Sequence, residues 1–341
     1  MKQKKVLVTG AAGYIGAHTV VELHNAGYQA VLVDNFSKSD RTLLKGLEEI
    51  TGVAPDFFEG DCNNQSFLQK VFAEQGPFEC VLHFAAYKSV GESVENPLMY
   101  YENNVGSMVT LLKVMAENRV ANLIFSSSCT VYGQPDAIPV AEDAPFKRAE
   151  SPYGATKQMC ERILEDVYRK GYRIISLRYF NPIGAHPSGK LGELPVGPPN
   201  NLVPYITQTA AGVREKLTVF GNDYNTPDGS CIRDFIHVVD LAKAHVQAME
   251  LLSRSKNQSM LEVYNLGTGI GVSVLELVRE FIKVTGVNLP YTIGPRRPGD
   301  VEKVFGDPTK ANRELGWKAG FSIGDSLRHA WQWEKRLRNL S

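Results

Sequence analysis

The chain has 341 residues, 37 Lys+Arg balanced by 37 Asp+Glu, and 43% hydrophobic residues. That length suits one large or two modest domains, each with its own core. Zero net charge and a charged fraction of 22% exclude a disordered or fibrous chain. They also give no reason to expect a nucleic-acid or anionic-membrane partner.

The basic start is followed only by Val6-Leu7-Val8 before Thr9 and Gly10. This run is too short for the apolar core of a secretory leader, so none is predicted. Residues 5–9 read as a strand, 15–25 as a helix stopped by Gly27, and 30–33 as a strand. A helix at 40–50, a strand at 56–59, a helix at 65–73 and a strand at 81–84 follow. Then come a helix at 108–117, a strand at 123–125, a helix at 154–168 and a strand at 174–177. Strands alternating with helices predict a parallel sheet covered on both faces. Residues 182–204 are rich in Pro and Gly, and a loop of that length is usually functional. Beyond it lie a strand at 218–220, a helix at 239–251, a strand at 263–266 and helices at 275–284 and 323–337. No run of 18 apolar residues suggests a membrane span. Cys62, Cys80, Cys129, Cys160 and Cys231 are scattered without a Cys-x-x-Cys pair, which predicts reduced thiols and a cytoplasmic protein. The seven histidines show no metal-ligand spacing, and no metal site is predicted.

Gly10, Gly13 and Gly16 fall between the first strand and the first helix. Gly10 suits a tight turn, Gly13 a close approach to a pyrophosphate, and Gly16 close helix packing. The helix N-terminus would then face the anion. Asp34 ends the second strand about 20 residues further on, where a carboxylate accepts from the adenosine ribose diol and repels a 2′-phosphate. NAD is therefore favoured over NADP. Asp61, after the third strand, suits the adenine edge or the N-cap of the helix at 65–73. The fold expectation is a Rossmann-type doubly wound α/β domain over 1–180, followed by a smaller mixed α/β domain over 181–341.

Tyr153 and Lys157 are four residues apart near the start of a helix, which puts them on one face. A free tyrosine is only about 0.1% phenolate at pH 7. A neighbouring ammonium favours the anion, so the pair suits a general base. Ser126, Ser127 and Ser128 leave a strand at the same end as the glycine loop, where a doubly wound sheet places its ligand crevice.

Thr-Gly-x-x-Gly-x-x-Gly, the serine loop and Tyr-x-x-x-Lys, in this order, resemble the extended short-chain dehydrogenase/reductases. Finer motifs resemble the UDP-glucose 4-epimerase family within them. These include Gly13-Tyr14-Ile15-Gly16, Val33-Asp34-Asn35, Asn103-Asn104-Val105, Arg178-Tyr179-Phe180-Asn181-Pro182, Pro199-Asn200-Asn201-Leu202, Arg233-Asp234-Phe235 and Arg296-Arg297-Pro298-Gly299-Asp300. The resemblance runs from about residue 4 to 335. It implies that Tyr153 takes the proton of the sugar 4-hydroxyl, that Ser128 assists, and that Lys157 meets the nicotinamide ribose. It implies NAD contacts at Gly10, Gly13, Tyr14, Ile15, Gly16, Asp34, Asn35, Asp61, Cys62, Phe84, Ala85, Lys88, Asn103, Ser126 and Tyr179. It implies UDP-sugar contacts at Asn181, Asn201, Leu202, Thr218, Val219, Phe220, Arg233, Arg297 and Asp300. The arginines suit a diphosphate. A homodimer through the helices near 95–118 and 153–170 is also implied.

Val304 stands where some family members carry a bulky tyrosine, which predicts more room and entry of N-acetylated sugars. A 4,6-dehydratase would need an acid and a base where Cys129-Thr130 stand. A non-catalytic NAD-binding protein would be expected to lack Tyr153 or Lys157, and a simple alcohol dehydrogenase would release NADH. Epimerases of UDP-xylose/arabinose or UDP-glucuronate remain alternatives.

Overall fold

The protein is described by a computed structural model covering residues 3–297 and 301–340. Its central element is a seven-stranded sheet. In chain order its first six strands are β1 (Lys5–Thr9), β2 (Gln29–Asp34), β3 (Asp56–Glu59), β4 (Cys80–His83), β5 (Asn122–Ser128) and β6 (Arg173–Tyr179). The spatial order is Met260–Leu266, β6, β5, β4, β1, β2, β3, with every neighbouring pair parallel. The order reverses between β1 and β4, and that reversal opens a crevice at the strand C-termini.

Side-chain alternation explains why the strands read as unbroken apolar runs. Val6 and Val8 enter one core while Leu7 enters the other, and Cys80 and Leu82 likewise oppose Val81. Helix α1 (Tyr14–Asn25), helix α2 (Thr42–Thr51) and the helix Val238–Arg254 cover the first face. Helix α3 (Gln65–Gln75) and the helices Gly106–Glu117 and Pro152–Val167 cover the second. Both faces are dry, as a parallel sheet requires.

The chain does not finish this sheet before starting the next unit. Its edge strand Met260–Leu266 and the helix Val238–Arg254 come from the second half of the sequence. The remaining elements form a smaller body. Ile232–His237 pairs with Gly271–Ser273, Lys303–Val304 and Asn181–Ile183, and a separate ribbon joins Leu217–Phe220 to Tyr291–Gly294. A third core built on Ile183, Val203, Ile206, Phe235, Val278 and Phe281 holds this body together.

Three local differences from the sequence reading stand out. β5 runs through the serines to Ser128, so these hydroxyls sit on a strand rather than in a loop. The Pro/Gly-rich segment contains the strand Asn181–Ile183 and leads into the helix Leu202–Ala210. Short helices at Val90–Glu95 and Pro97–Tyr100 and one π-helical turn at Tyr101–Val105 precede the helix at Gly106. Among the described residues no helix is long and apolar enough to cross a membrane.

Candidate active site

The glycine loop is shaped by contacts that exclude side chains. Gly10 has φ +69°, and a Cβ there would lie 2.6 Å from the Ala85 backbone nitrogen. A Cβ on Gly16 would lie 2.3 Å from the Gly10 carbonyl oxygen. Gly13 is the N-cap of α1 and has no side chain to cap it, so the first N–H groups stay open to an anion. Asp34 ties this loop to the second strand. Its Oδ2 accepts from the Ala12 N–H at 3.0 Å, and its Oδ1 accepts from the Phe36 N–H at 2.9 Å and the Ser39 hydroxyl at 2.8 Å. Asp61 accepts from the Asn63 N–H at 2.7 Å and from Asn35 Nδ2 at 3.2 Å. It does not cap the following helix; Asn64 does, accepting from the Phe67 N–H at 3.0 Å.

These groups line one cleft of about 590 Å³. Gly10, Gly13, Tyr14, Ile15, Gly16, Asp34, Asn35, Asp61, Cys62, Phe84, Ala85, Lys88, Asn103, Ser126, Tyr153, Lys157 and Tyr179 all face it. The contacts predicted for the dinucleotide therefore converge, although they come from eight separate segments. The fit is chemical as well as spatial. Gly10 is a backbone cradle that any Cβ would close, the α1 N-terminus is open, and a carboxylate stands at the end of β2.

At the catalytic end, Tyr153 and Lys157 both lie on the first turns of the helix Pro152–Val167, which Ser151 caps by accepting from the Gly154 N–H at 3.2 Å. The buried Lys157 donates to the Ser126 carbonyl oxygen at 2.6 Å, and its ammonium lies 5.9 Å from the centre of the Tyr153 ring. Burial pushes Lys157 down to about 8. Burial pushes the Tyr153 phenol up to about 12, against the lowering effect of its hydrogen bond with Ser128. The lowering expected from Lys157 does not appear in the protein alone, because the ammonium is turned to Ser126 and desolvation dominates.

The facing wall comes from the segment after Asn181. Asn201 reaches the cleft, and its Nδ2 donates to Glu193 Oε1 at 2.6 Å. Lys88 Nζ donates to the same oxygen at 3.0 Å, so Glu193 bridges the two walls. The Glu193 carbonyl accepts from Trp333 Nε1 at 3.0 Å, which anchors the segment on the C-terminal helix. The Tyr14 hydroxyl donates to the Gly184 carbonyl at 2.7 Å and ties the glycine loop to the same segment. Sequence reading missed Glu193, along with the cleft-lining Lys38 and Glu92, which pair at 2.6 Å. Ser39, which also lines the cleft and was also missed, carried a usable signal as a hydroxyl close behind Asp34.

The other predicted sugar-nucleotide contacts lie beyond this cleft. Asn181 starts the strand that pairs with Phe235, and Arg233 lies on the neighbouring strand facing the Cys129 side. Leu202 opens the helix Leu202–Ala210. Thr218, Val219 and Phe220 form one strand of the two-stranded ribbon; the Val219 side chain is buried, leaving its backbone to meet a ligand. Arg297 stacks 5.8 Å over the Phe220 ring. Val304 is buried beside Val131, Tyr132, Val140 and Phe180. Asp300 lies outside the described residues.

A buried network behind the serines was not foreseen. Glu161 sits one turn beyond Lys157 and accepts from the Ser127 hydroxyl. It also accepts from Arg178 through Nε at 3.0 Å and Nη2 at 2.6 Å. Arg178 Nη1 donates to the Tyr132 hydroxyl at 2.9 Å, which in turn donates to Asn265 Oδ1 at 2.7 Å. The serine strand is thus locked to its neighbours on the face away from the cleft.

The sequence matches the NAD dependent epimerase/dehydratase family over residues 6–267. A UDP-glucose 4-epimerase of Dictyostelium discoideum is 52% identical over 332 residues, spanning 97% of this chain and 95% of that protein. One from Bacillus subtilis strain 168 is 50% identical over 331 residues, 96% of each chain. Among solved structures, UDP-glucose 4-epimerase from Bifidobacterium longum in complex with NAD+ and UDP is similar with a TM-score of 0.94 at 46% identity, covering 98% of this chain and 99% of that one. With its glycine loop, Asp34 and the Tyr153–Lys157 pair gathered in one cleft, the chain belongs to the NAD-dependent epimerase/dehydratase family.

Proposed function

We propose that this protein is a UDP-glucose 4-epimerase that interconverts UDP-galactose and UDP-glucose with a retained NAD. The observation that carries the reading is Tyr153, half-buried and facing the cleft between Ser128 and Lys157. The named relatives support the substrate and the cofactor.

Tyr153 is placed to take the proton of the sugar 4-hydroxyl, and the Ser128 hydroxyl beside it steadies the phenolate. Bound NAD would supply a hydride acceptor for C4 of the sugar and a cationic ring whose field lowers the Tyr153 pKa. Lys157 spends one of its three N–H donors on Ser126 and keeps two for a ribose hydroxyl. Asp34 holds the adenosine end. The resulting 4-keto sugar would turn over in the site, take the hydride back at C4 on its other face, and regain its O4 proton from Tyr153. Arg233 and Arg297 hold the diphosphate, so binding energy from the nucleotide retains the reactive sugar while leaving it free to turn.

The remaining assignments are parts of the same proposal. Val90, Val94, Leu98 and Met159 are exposed apolar side chains on the helices near 90–117 and 152–167, which supports a homodimer through that face. The five unpaired cysteines support a reducing, cytoplasmic setting. The short Val304 side chain supports acceptance of N-acetylated UDP sugars.

The test is incubation of purified protein with UDP-galactose and no added NAD, followed by assay of UDP-glucose. Conversion that disappears in Tyr153→Phe supports the reading. No conversion even with added NAD overturns it.

A further inference from the structure

His245 lies on the helix Val238–Arg254, outside every predicted contact, and packs behind two side chains that line the cleft, Phe84 and Tyr179. It is buried, and its Nδ1 lies 2.8 Å from the Leu241 carbonyl oxygen. A carbonyl can only accept, so Nδ1 carries the ring proton. Burial pushes the imidazole down to about 4, which keeps the ring neutral and leaves Nε2 a bare acceptor. The Tyr179 hydroxyl is hydrogen-bonded to that Nε2 and must be the donor. The His245 ring also packs on two cleft side chains, 4.8 Å from Phe84 and 5.3 Å from Tyr179 between centroids. Tyr179 is hydrogen-bonded in turn to Ser126, the residue whose carbonyl holds Lys157.

These contacts form a donor chain with one direction, from Ser126 to Tyr179 to His245 to the Leu241 carbonyl. We propose that His245 is a positioning residue: by accepting the Tyr179 proton it makes Ser126 and Tyr179 present oxygen lone pairs, rather than protons, to the cleft. Acceptors so arranged suit an amide N–H of the bound cofactor, and in this respect the inference rests on the NAD reading above. Without His245 the Tyr179 proton would turn to Ser126, and the serine hydroxyl would point a donor into the cleft. A buried polar group left without its partner costs more than the bond itself contributes.

The experiment compares the holoenzyme with His245→Phe and His245→Gln, each alone and combined with Tyr179→Phe. Gln can place an amide oxygen near the Nε2 position. The readouts are the rate at which bound NAD exchanges with isotopically labelled NAD, and kcat and KM for UDP-galactose. His245→Phe is expected to speed NAD exchange about tenfold or more and to lower kcat, with KM changed less than twofold. His245→Gln is expected to restore most of the loss. In the Tyr179→Phe background, His245→Phe is expected to add nothing, because the chain is already cut. If His245→Phe fails to accumulate, His245→Leu makes the same comparison. Equal effects of His245→Phe in both backgrounds, or unchanged NAD exchange in the single variant, would overturn the proposal. A wild type that holds NAD but does not epimerise would overturn the functional reading instead, while the exchange comparison would still decide the role of His245.

Discussion

At the Tyr153 end of the cleft, buried groups hold one another through hydrogen bonds. Lys157 is set on Ser126, Ser127 on Glu161, Glu161 on Arg178 and Tyr179 on His245, all of them buried or nearly so. The ribbon of Leu217–Phe220 and Tyr291–Gly294 is built the other way. Phe220, Tyr291 and Ile293 are each 42% exposed, and Arg296 pairs at 2.7 Å with the exposed Asp223. On the proposed function, the contrast follows the chemistry asked of each end. Proton transfer tolerates little misplacement, so its groups are locked in a dry network. Retention of a nucleotide diphosphate needs charge and area, which solvated arginines and apolar rims supply. On that proposal, a rigid end and a pliant end together would leave the sugar between them able to turn.

The comparison breaks most directly at Tyr153. Tyr153→Phe is expected to lower kcat by roughly 10³-fold or more while NAD stays bound and the melting temperature barely changes. Retention of a tenth of the activity would remove the proton-transfer role from this end. Next in size, Glu161→Gln should cost about 3–5 kcal/mol in denaturant unfolding, because it leaves the Arg178 guanidinium buried and unpaired. Asp223→Asn at the other end should cause no measurable change. Equal losses would show that the two ends do not differ in kind.

Arg297→Ala is expected to raise KM for UDP-galactose roughly 10- to 100-fold with kcat within about threefold, the mark of binding shared by ground and transition states. Steady-state kinetics would settle it, and a fall in kcat alone would place Arg297 with the rigid end. The buried histidines supply a pH signature. Burial holds His83 at about 3 and His245 at about 4, below the unfolded value. As pH falls from about 6.5 towards 4, the unfolded chain binds protons that the native state refuses. Each such histidine then costs about 1.4 kcal/mol per pH unit, and this cost is absent above about pH 6.5. Unfolding midpoints measured across that range should fall less steeply in His245→Gln than in the wild type. The last concerns room for the N-acetyl group: Val304→Tyr should reduce turnover of UDP-GlcNAc about tenfold while leaving that of UDP-glucose within about twofold.

The first sheet could be read from the sequence because its strands are short apolar runs punctuated by glycine, with helical spacing between them. The glycine loop and Asp34 were legible for the same local reason. Ile232–His237 was not, because Arg233 and Asp234 break the apolar pattern; Asp234 accepts from the Thr268 and Gly269 N–H groups, a pairing that arises only in three dimensions. The helix Leu202–Ala210 hid behind a proline-rich approach. Glu161, Glu193 and His245 each sat on an ordinary-looking segment. Their partners Arg178, Lys88 and Tyr179 are distant in sequence, so no spacing rule could have singled them out.

The edge strand Met260–Leu266 has a further consequence for how the molecule is made. Until the ribosome has delivered that segment, β6 ends the growing sheet with an open row of backbone donors and acceptors along a largely buried, apolar strand. Such an edge recruits any other extended chain. A fragment cut after residue 180 would keep the glycine loop, Tyr153 and Lys157 but expose that edge permanently. Its expected fate is aggregation rather than autonomous folding, which sedimentation of the 1–180 fragment would show.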